Sequence, residues 1–245
     1  AFLEKIRTEA EHELGRVAAR PRNVRPTRRT ISVPPAARLP TPPHYGPRVV
    51  REMPLEFVFQ RLFKNELFRL SWGAKNTHGE EWARLEKEFE ARLQNMQREA
   101  LREGWLAPQA VYGYWPCNAD GDELILYDPA SLPSASGKPG EGKPRELVRF
   151  SFPRQPDRDQ LCLADYFAPL ESGKLDTVAF QVVTVGHAAS ERFARLQEAG
   201  DYSEAYFTHG LAVQTAEATA EYLHRHIRRE LGLPEGQGKR YSWGY

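Results

Sequence analysis

Residues 176–185, Asp-Thr-Val-Ala-Phe-Gln-Val-Val-Thr-Val, form a nearly continuous run of apolar and β-branched side chains. A run of this length and composition predicts a strand in the centre of a sheet. Two helical patterns follow it, over residues 188–199 and 203–231. The second keeps one apolar stripe, formed by Ala216, Ala220, Leu223, Ile227 and Leu231, until Gly232 and Pro234 end it. This strand and the long helix after it form the centre of the predicted fold.

The segments that precede this strand predict helices first and strands after them. Residues 52–70 and 80–103 carry apolar side chains at steps of three and four, which is typical of amphipathic helices. Three segments favour strands, namely 110–114, 123–127 and 146–152. The composition of residues 116–121 indicates a turn. The order helices, strands, helices predicts an α+β fold with a mainly antiparallel twisted sheet flanked by long helices.

The N-terminal part of the chain differs in composition from the rest. Residues 1–50 hold 8 of the 19 prolines and carry 10 Lys and Arg against four Glu, a local net charge of +6 (10 − 4). We predict a helix over residues 1–20, a Pro/Arg-rich linker over 21–47 and a domain over 48–245. A basic nucleic-acid-binding arm around residues 20–29 is the alternative. The absence of interleaved aromatic residues there favours the linker.

The composition of the whole chain excludes several classes of protein. The 245 residues include 34 Lys and Arg against 33 Asp and Glu, so the net charge of +1 gives no overall attraction for nucleic acid. The mean hydropathy is −0.63, and the sequence contains no apolar run near the ~20 residues of a membrane span. The two cysteines, Cys117 and Cys162, suit a reducing compartment. We therefore expect a cytoplasmic protein that binds neither nucleic acid nor membrane.

A search for known catalytic motifs gives negative results. The sequence has no phosphate-binding loop, no glycine-rich dinucleotide motif, no nucleophile elbow and no zinc-protease motif. Residues 118–123 resemble a calcium loop only faintly, since the glutamate at the required distance is missing. Cys117 has no flanking base, which favours a packing role over that of a nucleophile. The sequence thus predicts neither a catalytic side chain nor a metal site.

Two polar patterns remain as candidates for ligand binding. Glu217, Glu221, His224 and Arg228 follow one another at steps of four, three and four, so they share one face of the last predicted helix. Such a face is either a solvated, salt-bridged surface or a set of groups directed into a cleft. Residues 240–245, Arg-Tyr-Ser-Trp-Gly-Tyr, combine a guanidinium that suits a carboxylate ligand with aromatic rings that suit a purine or a cation.

Four segments, in the same order, resemble the activation domain of cobalamin-dependent methionine synthase. They are Gly-Tyr-Trp-Pro-Cys-Asn-Ala-Asp-Gly-Asp-Glu at 113–123, Cys-Leu-Ala-Asp-Tyr-Phe-Ala-Pro at 162–169, Ala-Glu-Ala-Thr-Ala-Glu-Tyr-Leu-His at 216–224 and the segment at 240–245. The family counterparts are Gly-Leu-Phe-Pro-Ala-Asn-x-x-Gly-Asp-Asp, Cys-Leu-Ala-Asp-Phe-Val-Ala-Pro, Ala-Glu-Ala-Phe-Ala-Glu-Tyr-Leu-His and Arg-Pro-Ala-Pro-Gly-Tyr. The matches are collinear over about residues 45–245. Residues 1–45 resemble the last helix of the preceding cobalamin-binding module and the linker that follows it.

This resemblance implies a module that takes part in the reactivation of cobalamin. In the family, a methyl group from S-adenosylmethionine and an electron from a flavodoxin-like or other donor convert inactive cob(II)alamin to methylcobalamin. The cobalamin is bound by the adjacent module of the same polypeptide. The chain would thus be one part of a cobalamin-dependent methyltransferase of methionine biosynthesis. No catalytic side chain is needed, because the sulfonium is already a good leaving group and the protein binds and orients it.

The resemblance also implies residues that hold S-adenosylmethionine. Glu217 corresponds to a glutamate that helps to hold the ligand, and Arg240 to the arginine that pairs with its carboxylate. Ser242, Gly244 and Tyr245 belong to the same C-terminal motif, in which the positions of Ser242 and Tyr245 supply further contacts.

Two departures from the family pattern leave an alternative open. Phe63 occupies the position of a family aspartate that contacts the ligand, and the family continues after Tyr245 with a segment that completes the domain. We therefore expect the C-terminal part of the domain to be lacking here. The alternative function is that of a docking domain that caps a cobalamin module without binding S-adenosylmethionine.

Overall fold

The computed structural model describes residues 33–132, 144–156 and 160–234. The predicted helix over residues 1–20 and the predicted ligand contacts Arg240, Ser242, Gly244 and Tyr245 lie outside these residues. Within them, the predicted α+β class is confirmed, because a five-stranded antiparallel sheet packs against long helices. None of the helices in these three ranges is both long and apolar enough to cross a membrane.

After β1, which was not predicted, the helices and strands follow one another in the predicted order. The strands of the described chain are β1 (Gly46–Val50), β2 (Gln109–Asp120), β3 (Glu123–Tyr127), β4 (Glu146–Ser151) and β5 (Asp176–Thr184). The helices are α1 (Leu55–Phe59), α2 (Lys64–Glu66), α3 (Gly79–Glu103), α4 (His187–Glu198) and α5 (Tyr202–Glu230). A π-helical turn, Leu67–Ser71, continues α2. The predictions of α3, α4, α5, β3, β4 and β5 are confirmed to within a few residues.

All other strands of the described sheet attach to β2, except β4. One edge of β2 pairs with β1 over residues 110–114 and then with β3 over residues 117–120. The opposite edge pairs with β5 over residues 109–117. β4 extends the sheet beyond β3, and every one of these pairings is antiparallel. As a result, β2 holds together segments that lie far apart in the sequence.

The predicted turn over residues 116–121 is wrong, because β2 runs on to Asp120 and the chain reverses only at the next two residues. Residues 116–120 favour a turn by composition, but pairing with β3 and β5 keeps them extended. Pro116 cannot donate a backbone hydrogen bond. It lies between Tyr114, the last residue paired with β1, and Cys117, the first paired with β3, where that edge of β2 has no partner strand.

Two further predictions need correction. The single helix expected over residues 52–70 is divided into α1, α2 and the π-helical turn, with Phe63 in a non-helical conformation before α2. Leu55, Val58 and Leu67 are buried as the helical spacing requires, but the break before α2 leaves Phe63 48% exposed. The spacing of the apolar residues did not reveal this break. β5, expected in the centre of the sheet, pairs only with β2 in the described chain. β1 was not predicted at all.

The core lies between α5 and the face of the sheet formed by residues 110, 112 and 114. Beside it, the rings of Phe68, Trp72, Phe89 and Phe207 contact one another. The indole of Trp72 donates a hydrogen bond to the carbonyl of Phe207 in α5 (3.2 Å). Gly210, one turn further along α5, allows this approach, since a Cβ there would lie 2.8 Å from Cδ1 of Trp72. The long helix is thereby fixed against both the sheet and the aromatic rings.

The opposite face of the sheet is covered over only part of its area. Around Cys117, it packs against Phe152 and Phe167. At the other end, Val49, Val111 and Val182 stand opposite one another on β1, β2 and β5 and are 62%, 41% and 72% exposed. In the part of the chain that the structure describes, no strand pairs with the outer edge of β5. This end of the sheet therefore exposes a cluster of three valine side chains.

Candidate functional site

The first two segments that carry the family resemblance meet at the covered end of the sheet. The backbone amide of Ala119 donates to the carbonyl of Ala168 (3.0 Å). The side-chain amide of Asn118, which is buried, donates to the carbonyls of Ala168 (3.0 Å) and Lys174 (2.7 Å). These bonds satisfy the buried side-chain amide of Asn118, which would otherwise be costly to bury. The shared residues of these two segments therefore have a structural role.

An ion pair reinforces the same junction. Both carboxylate oxygens of Asp165 accept from Arg154 (2.7 and 2.8 Å), and one also accepts from the backbone amide of Cys162 (2.8 Å). Arg154 donates to Asp122 as well (2.6 Å), and the hydrogen bond to Asp165 is the main reason why the pKa of Arg154 is raised. Such a bidentate pair fixes the geometry of the loop.

The two cysteines lie in this region but are not reactive groups. Cys117 and Cys162 are buried and unpaired. Burial raises the pKa of both thiols, and the charge of Asp176 adds to the rise at Cys117. A thiol with a raised pKa is a poor nucleophile. The predicted packing role of Cys117 is consistent with this environment.

The third segment of the resemblance lies in the middle of α5 and contains Glu217. One turn before it, the amide of Gln214 donates to the hydroxyl of Ser71 in the π-helical turn (3.3 Å). One turn after it, the carbonyl of Ala220 accepts from Gln181 of β5 (3.2 Å). These contacts hold α5 on both sides of Glu217, which is half-buried. The carboxylate of Glu217 is thus carried by a helix that is held in place on both sides of it.

The polar face predicted from the spacing exists on α5. Glu217, Glu221, His224 and Arg228 are all half-buried, which distinguishes them from a fully solvated row. Glu221 accepts from Arg225 (2.7 Å), and Arg228 donates to the carbonyl of Pro234 beyond the end of the helix (3.1 Å). The structure therefore describes Glu217 and its helical neighbours. The other predicted ligand contacts, at residues 240–245, lie outside the described residues.

Phe63, which replaces a family aspartate, lies just before α2. Its side chain is 48% exposed, so it does not belong to the core. In the three described ranges, no group of three or more His, Cys, Asp or Glu is arranged to hold a metal ion.

A second polar group, which sequence reasoning missed, lies at the C-terminal end of α5. We call it the tyrosine–glutamate cluster, and its members are Tyr112, Tyr114, Glu230, His226 and His44. The hydroxyls of Tyr112 and Tyr114 donate to the same carboxylate oxygen of Glu230, at 3.0 and 2.7 Å. His226 Nε2 lies 3.5 Å from the other oxygen. Two signals in the sequence were available, the Tyr-x-Tyr alternation on a strand and the His–Glu pair four residues apart on a helix.

Electrostatics within this cluster favour the charged carboxylate. Burial alone would raise the pKa of Glu230, but the hydrogen bonds from Tyr114 and Tyr112 and the nearby His226 and His44 outweigh it, so that the pKa is lowered. Burial and the bond to Glu230 raise the pKa of both tyrosines. The cluster is thus a carboxylate held by two neutral phenols.

His44 completes the cluster from the opposite side. Its ring meets the rings of Tyr114 and Tyr112 edge-on, with centroids 5.1 and 6.0 Å apart. Both ring nitrogens are buried, and neither has a hydrogen-bond partner among the described residues. Burial, and then the charge of Arg48, lower the pKa of His44, whereas Glu230 opposes this shift. The ring of His44 therefore contributes to the cluster mainly by packing against the two tyrosine rings.

Comparison with known proteins agrees with the resemblance found in the sequence. Residues 59–235 match the family described as "Vitamin B12 dependent methionine synthase, activation domain". The chain is 32% identical over 204 residues to methionine synthase of Mycobacterium tuberculosis and 32% identical over 203 residues to that of Mycobacterium leprae. Each match covers 79% of this chain, which spans only 16% of the length of either relative.

A solved structure has the same fold. The crystal structure of the MetH reactivation domain bound to AdoHcy aligns with a TM-score of 0.69 at 22% sequence identity, and it covers 82% of this chain and 61% of its own. The match of residues 59–235 to one family, which extends over more than half of the sequence, decides the assignment. The chain belongs to the activation-domain family of vitamin B12-dependent methionine synthase.

Proposed function

We propose that this chain binds S-adenosylmethionine and presents its methyl group for the reductive reactivation of cobalamin within a methionine synthase. The observation that carries the proposal is the family match over residues 59–235. The likeness in fold to a reactivation domain that was solved with AdoHcy supports it. AdoHcy is the product that S-adenosylmethionine becomes after it has lost its methyl group.

The residues that we assign to the ligand are Glu217, Arg240, Ser242, Gly244 and Tyr245. The carboxylate of Glu217 suits the positive charges of the ammonium and the sulfonium of the methionine moiety. The half-burial of Glu217 supports this role, because a charge pair is stronger where water is partly excluded. Arg240 is suited to the ligand carboxylate, which a guanidinium binds through two parallel hydrogen bonds.

The chain's contribution to the reaction is binding and orientation. Cobalamin held by the adjacent module would supply the metal that receives the methyl group, and a flavodoxin-like or other donor would supply the electron. Glu217 and Arg240 bind the ammonium and the carboxylate on the α-carbon of the methionine moiety, which helps to hold the methyl group in one direction. The methyl group leaves a sulfonium, so no side chain of this domain has to transfer a proton. Both cysteines are unpaired, which suits a reducing cytoplasm.

Calorimetric titration with S-adenosylmethionine tests this function. We expect the chain to bind the ligand, and the variants Glu217→Gln and Arg240→Ala each to weaken binding by about tenfold or more. Glu198→Gln and Arg195→Ala, at exposed positions of α4, are matched controls that should leave the affinity unchanged. Equal affinities for all five proteins would refute the assigned residues.

The alternative function, a docking domain without ligand, is favoured by one observation. Phe63 presents an exposed ring where the family has an acidic contact. A wild-type chain that binds no S-adenosylmethionine, but binds a separately produced cobalamin module saturably, would establish the alternative and refute the first proposal.

A further inference from the structure

Two glutamine side chains hold α5 within one helical turn of Glu217, one on each side. Gln214, three residues before Glu217, donates from Nε2 to the hydroxyl of Ser71 (3.3 Å). Gln181 of β5 donates from Nε2 to the carbonyl of Ala220, three residues after Glu217 (3.2 Å). The first bond reaches the π-helical turn and the second reaches the sheet. The part of α5 that carries Glu217 is therefore attached to two different parts of the fold.

Each of these two amides has an oxygen without a partner. The Oε1 atoms of Gln214 and Gln181 are buried, and neither accepts a hydrogen bond from any of the described residues. A buried acceptor without a donor destabilises the folded state. An unbranched methionine side chain can fill the same space without a polar atom. The stability of the domain alone therefore does not explain why glutamine occupies both positions.

The partner of Gln214 belongs to a second unusual feature. Ser71 ends the π-helical turn, in which the backbone amide of Trp72 donates to the carbonyl of Leu67 (2.8 Å). Such wide turns are rare in helices and are frequent at functional sites. The turn continues α2, and Phe63, which replaces the family aspartate, lies just before α2. The wide turn and the buried amide are thus joined by one hydrogen bond, one turn before Glu217.

These hydrogen bonds can control the position of α5 more finely than apolar packing does. Burial of apolar surface is non-directional, whereas a hydrogen bond has a preferred distance and angle. One bond before Glu217 and one after it, to different partners, restrict both the rotation of the helix and its shift along its axis. A binding group has to be held within about 0.5 Å of its productive position. The two amides meet this requirement for the carboxylate of Glu217.

We propose that Gln214 and Gln181 are positioning residues of the S-adenosylmethionine site, which fix α5 so that the carboxylate of Glu217 keeps one position toward the ligand. They act on the ligand only through the helix that carries Glu217. The inference rests on the proposed function and adds two residues that determine the affinity of the same site. It implies that part of the stability of the domain is given up to hold the site in place.

Methionine substitutions distinguish a positioning role from a structural one, because only a structural role predicts a loss of stability. We expect Gln214→Met and Gln181→Met each to weaken the binding of S-adenosylmethionine by about tenfold in calorimetric titration. The midpoint of thermal unfolding should stay the same or rise, since each variant loses a buried oxygen without a partner. Gln197→Met in α4 and Gln109→Met in β2 are exposed matched controls that should bind like the wild type.

A double variant tests whether Gln214 acts through Glu217. If it does, Gln214→Met should weaken binding in the wild type and have little further effect when Glu217→Gln is already present. Losses of affinity that add up in the double variant would overturn the positioning role. Ser71→Ala removes the acceptor of the Gln214 amide, so it should cause a similar loss of affinity to Gln214→Met.

The titrations and the melting curves together separate this inference from the proposed function. If the wild type binds the ligand and the folded glutamine variants bind it equally well, the positioning role is refuted while the proposed function stands. A fall of affinity and unfolding midpoint together would assign the glutamines to packing alone and would also refute the positioning role. A wild type that binds no ligand refutes both.

Discussion

At the scale of single residues, the tyrosine–glutamate cluster shows how burial is made compatible with charge. A carboxylate that is removed from water normally becomes harder to ionise. Glu230 nevertheless has a lowered pKa, because two phenols donate to it and imidazole groups lie nearby. For His44, by contrast, the effect of burial prevails. Its ring nitrogens have no hydrogen-bond partner in the described chain, so its pKa is lowered and the neutral form is favoured. Both effects give the stability a definite dependence on pH.

We predict that the free energy of unfolding decreases as the pH falls below about 6.5. The unfolded chain protonates His44 near its ordinary pKa of 6.5, whereas the folded chain resists protonation until a lower pH. Glu230 contributes stability above its ordinary pKa of 4.5, and this contribution is lost as the pH falls through its lower, folded pKa. Urea unfolding between pH 8 and about pH 3 measures the dependence. His44→Phe should make the free energy of unfolding less dependent on pH below 6.5, and Glu230→Gln should do the same below 4.5. An unchanged pH profile in both variants would contradict the assignment of these two groups.

Gly210 is a position where one methyl group decides the packing of the core. Gly210→Ala would place a Cβ 2.8 Å from Cδ1 and 2.9 Å from Nε1 of Trp72. Alanine favours a helix more than glycine does, but this gain is only about 1 kcal/mol. We predict a net loss of stability of about 1–3 kcal/mol from the displaced indole. Urea unfolding measures it, and a more stable variant would show that Trp72 can move without cost.

At the scale of elements, the long amphipathic helices were predicted well and the strands were predicted less well. Over the 25 residues of α3 and the 29 of α5, many turns repeat the same apolar stripe, so their position and type were clear. β2 was cut short in the prediction because residues 116–120 have turn chemistry, and only neighbouring strands keep them extended. β1 carries no alternation that distinguishes it from a linker. Its existence depends on pairing with β2, which the local sequence does not encode.

The pairing of β1 depends on the absence of a side chain at Gly113. A Cβ there would overlap the carbonyl oxygen of Gly46 and lie 2.9 Å from Cα of Pro47. Both contacts are to backbone, so no side-chain rotation relieves them. We predict that Gly113→Ala detaches the first residues of β1 and increases amide hydrogen exchange over residues 46–50. An unchanged exchange pattern would contradict the prediction; the hairpin of β3 and β4 serves as an internal control, since it lies elsewhere in the sheet.

At the scale of the whole molecule, the sequence alone reaches only the local part of the candidate site. Glu217 is a candidate because its segment, over residues 216–224, resembles a family motif, and its binding role stays a prediction. Its place on a polar face of α5 followed from the spacing. The tyrosine–glutamate cluster was not found, since His44 and Glu230 are separated by 186 residues (230 − 44) and meet only through β2. Contacts of this kind follow from the topology, which the order of elements constrains but does not determine.

The exposed end of the sheet also concerns the whole molecule, because it affects the behaviour of the chain at high concentration. An uncharged edge strand with apolar side chains is prone to pair with other chains. We predict that Val182→Lys reduces self-association, as measured by light scattering over a range of concentrations. Gln197→Lys adds the same charge at an exposed position of α4 and is the control. If both variants scatter light equally, the reduced self-association results from net charge alone and not from the exposed end of the sheet.

The position of β2 in the sheet has a consequence for the order of events on the ribosome. Its partners in β5 lie between 59 (176 − 117) and 75 (184 − 109) residues further along the chain. Pairings this distant form slowly, whereas α3 can form as soon as it is synthesised. While residues up to 184 are still being added, β2 keeps one edge and much apolar surface open, which is the condition in which nascent chains aggregate or recruit chaperones. The strand that unites the finished sheet therefore also keeps one edge unpaired until the last strand of the described sheet has been synthesised.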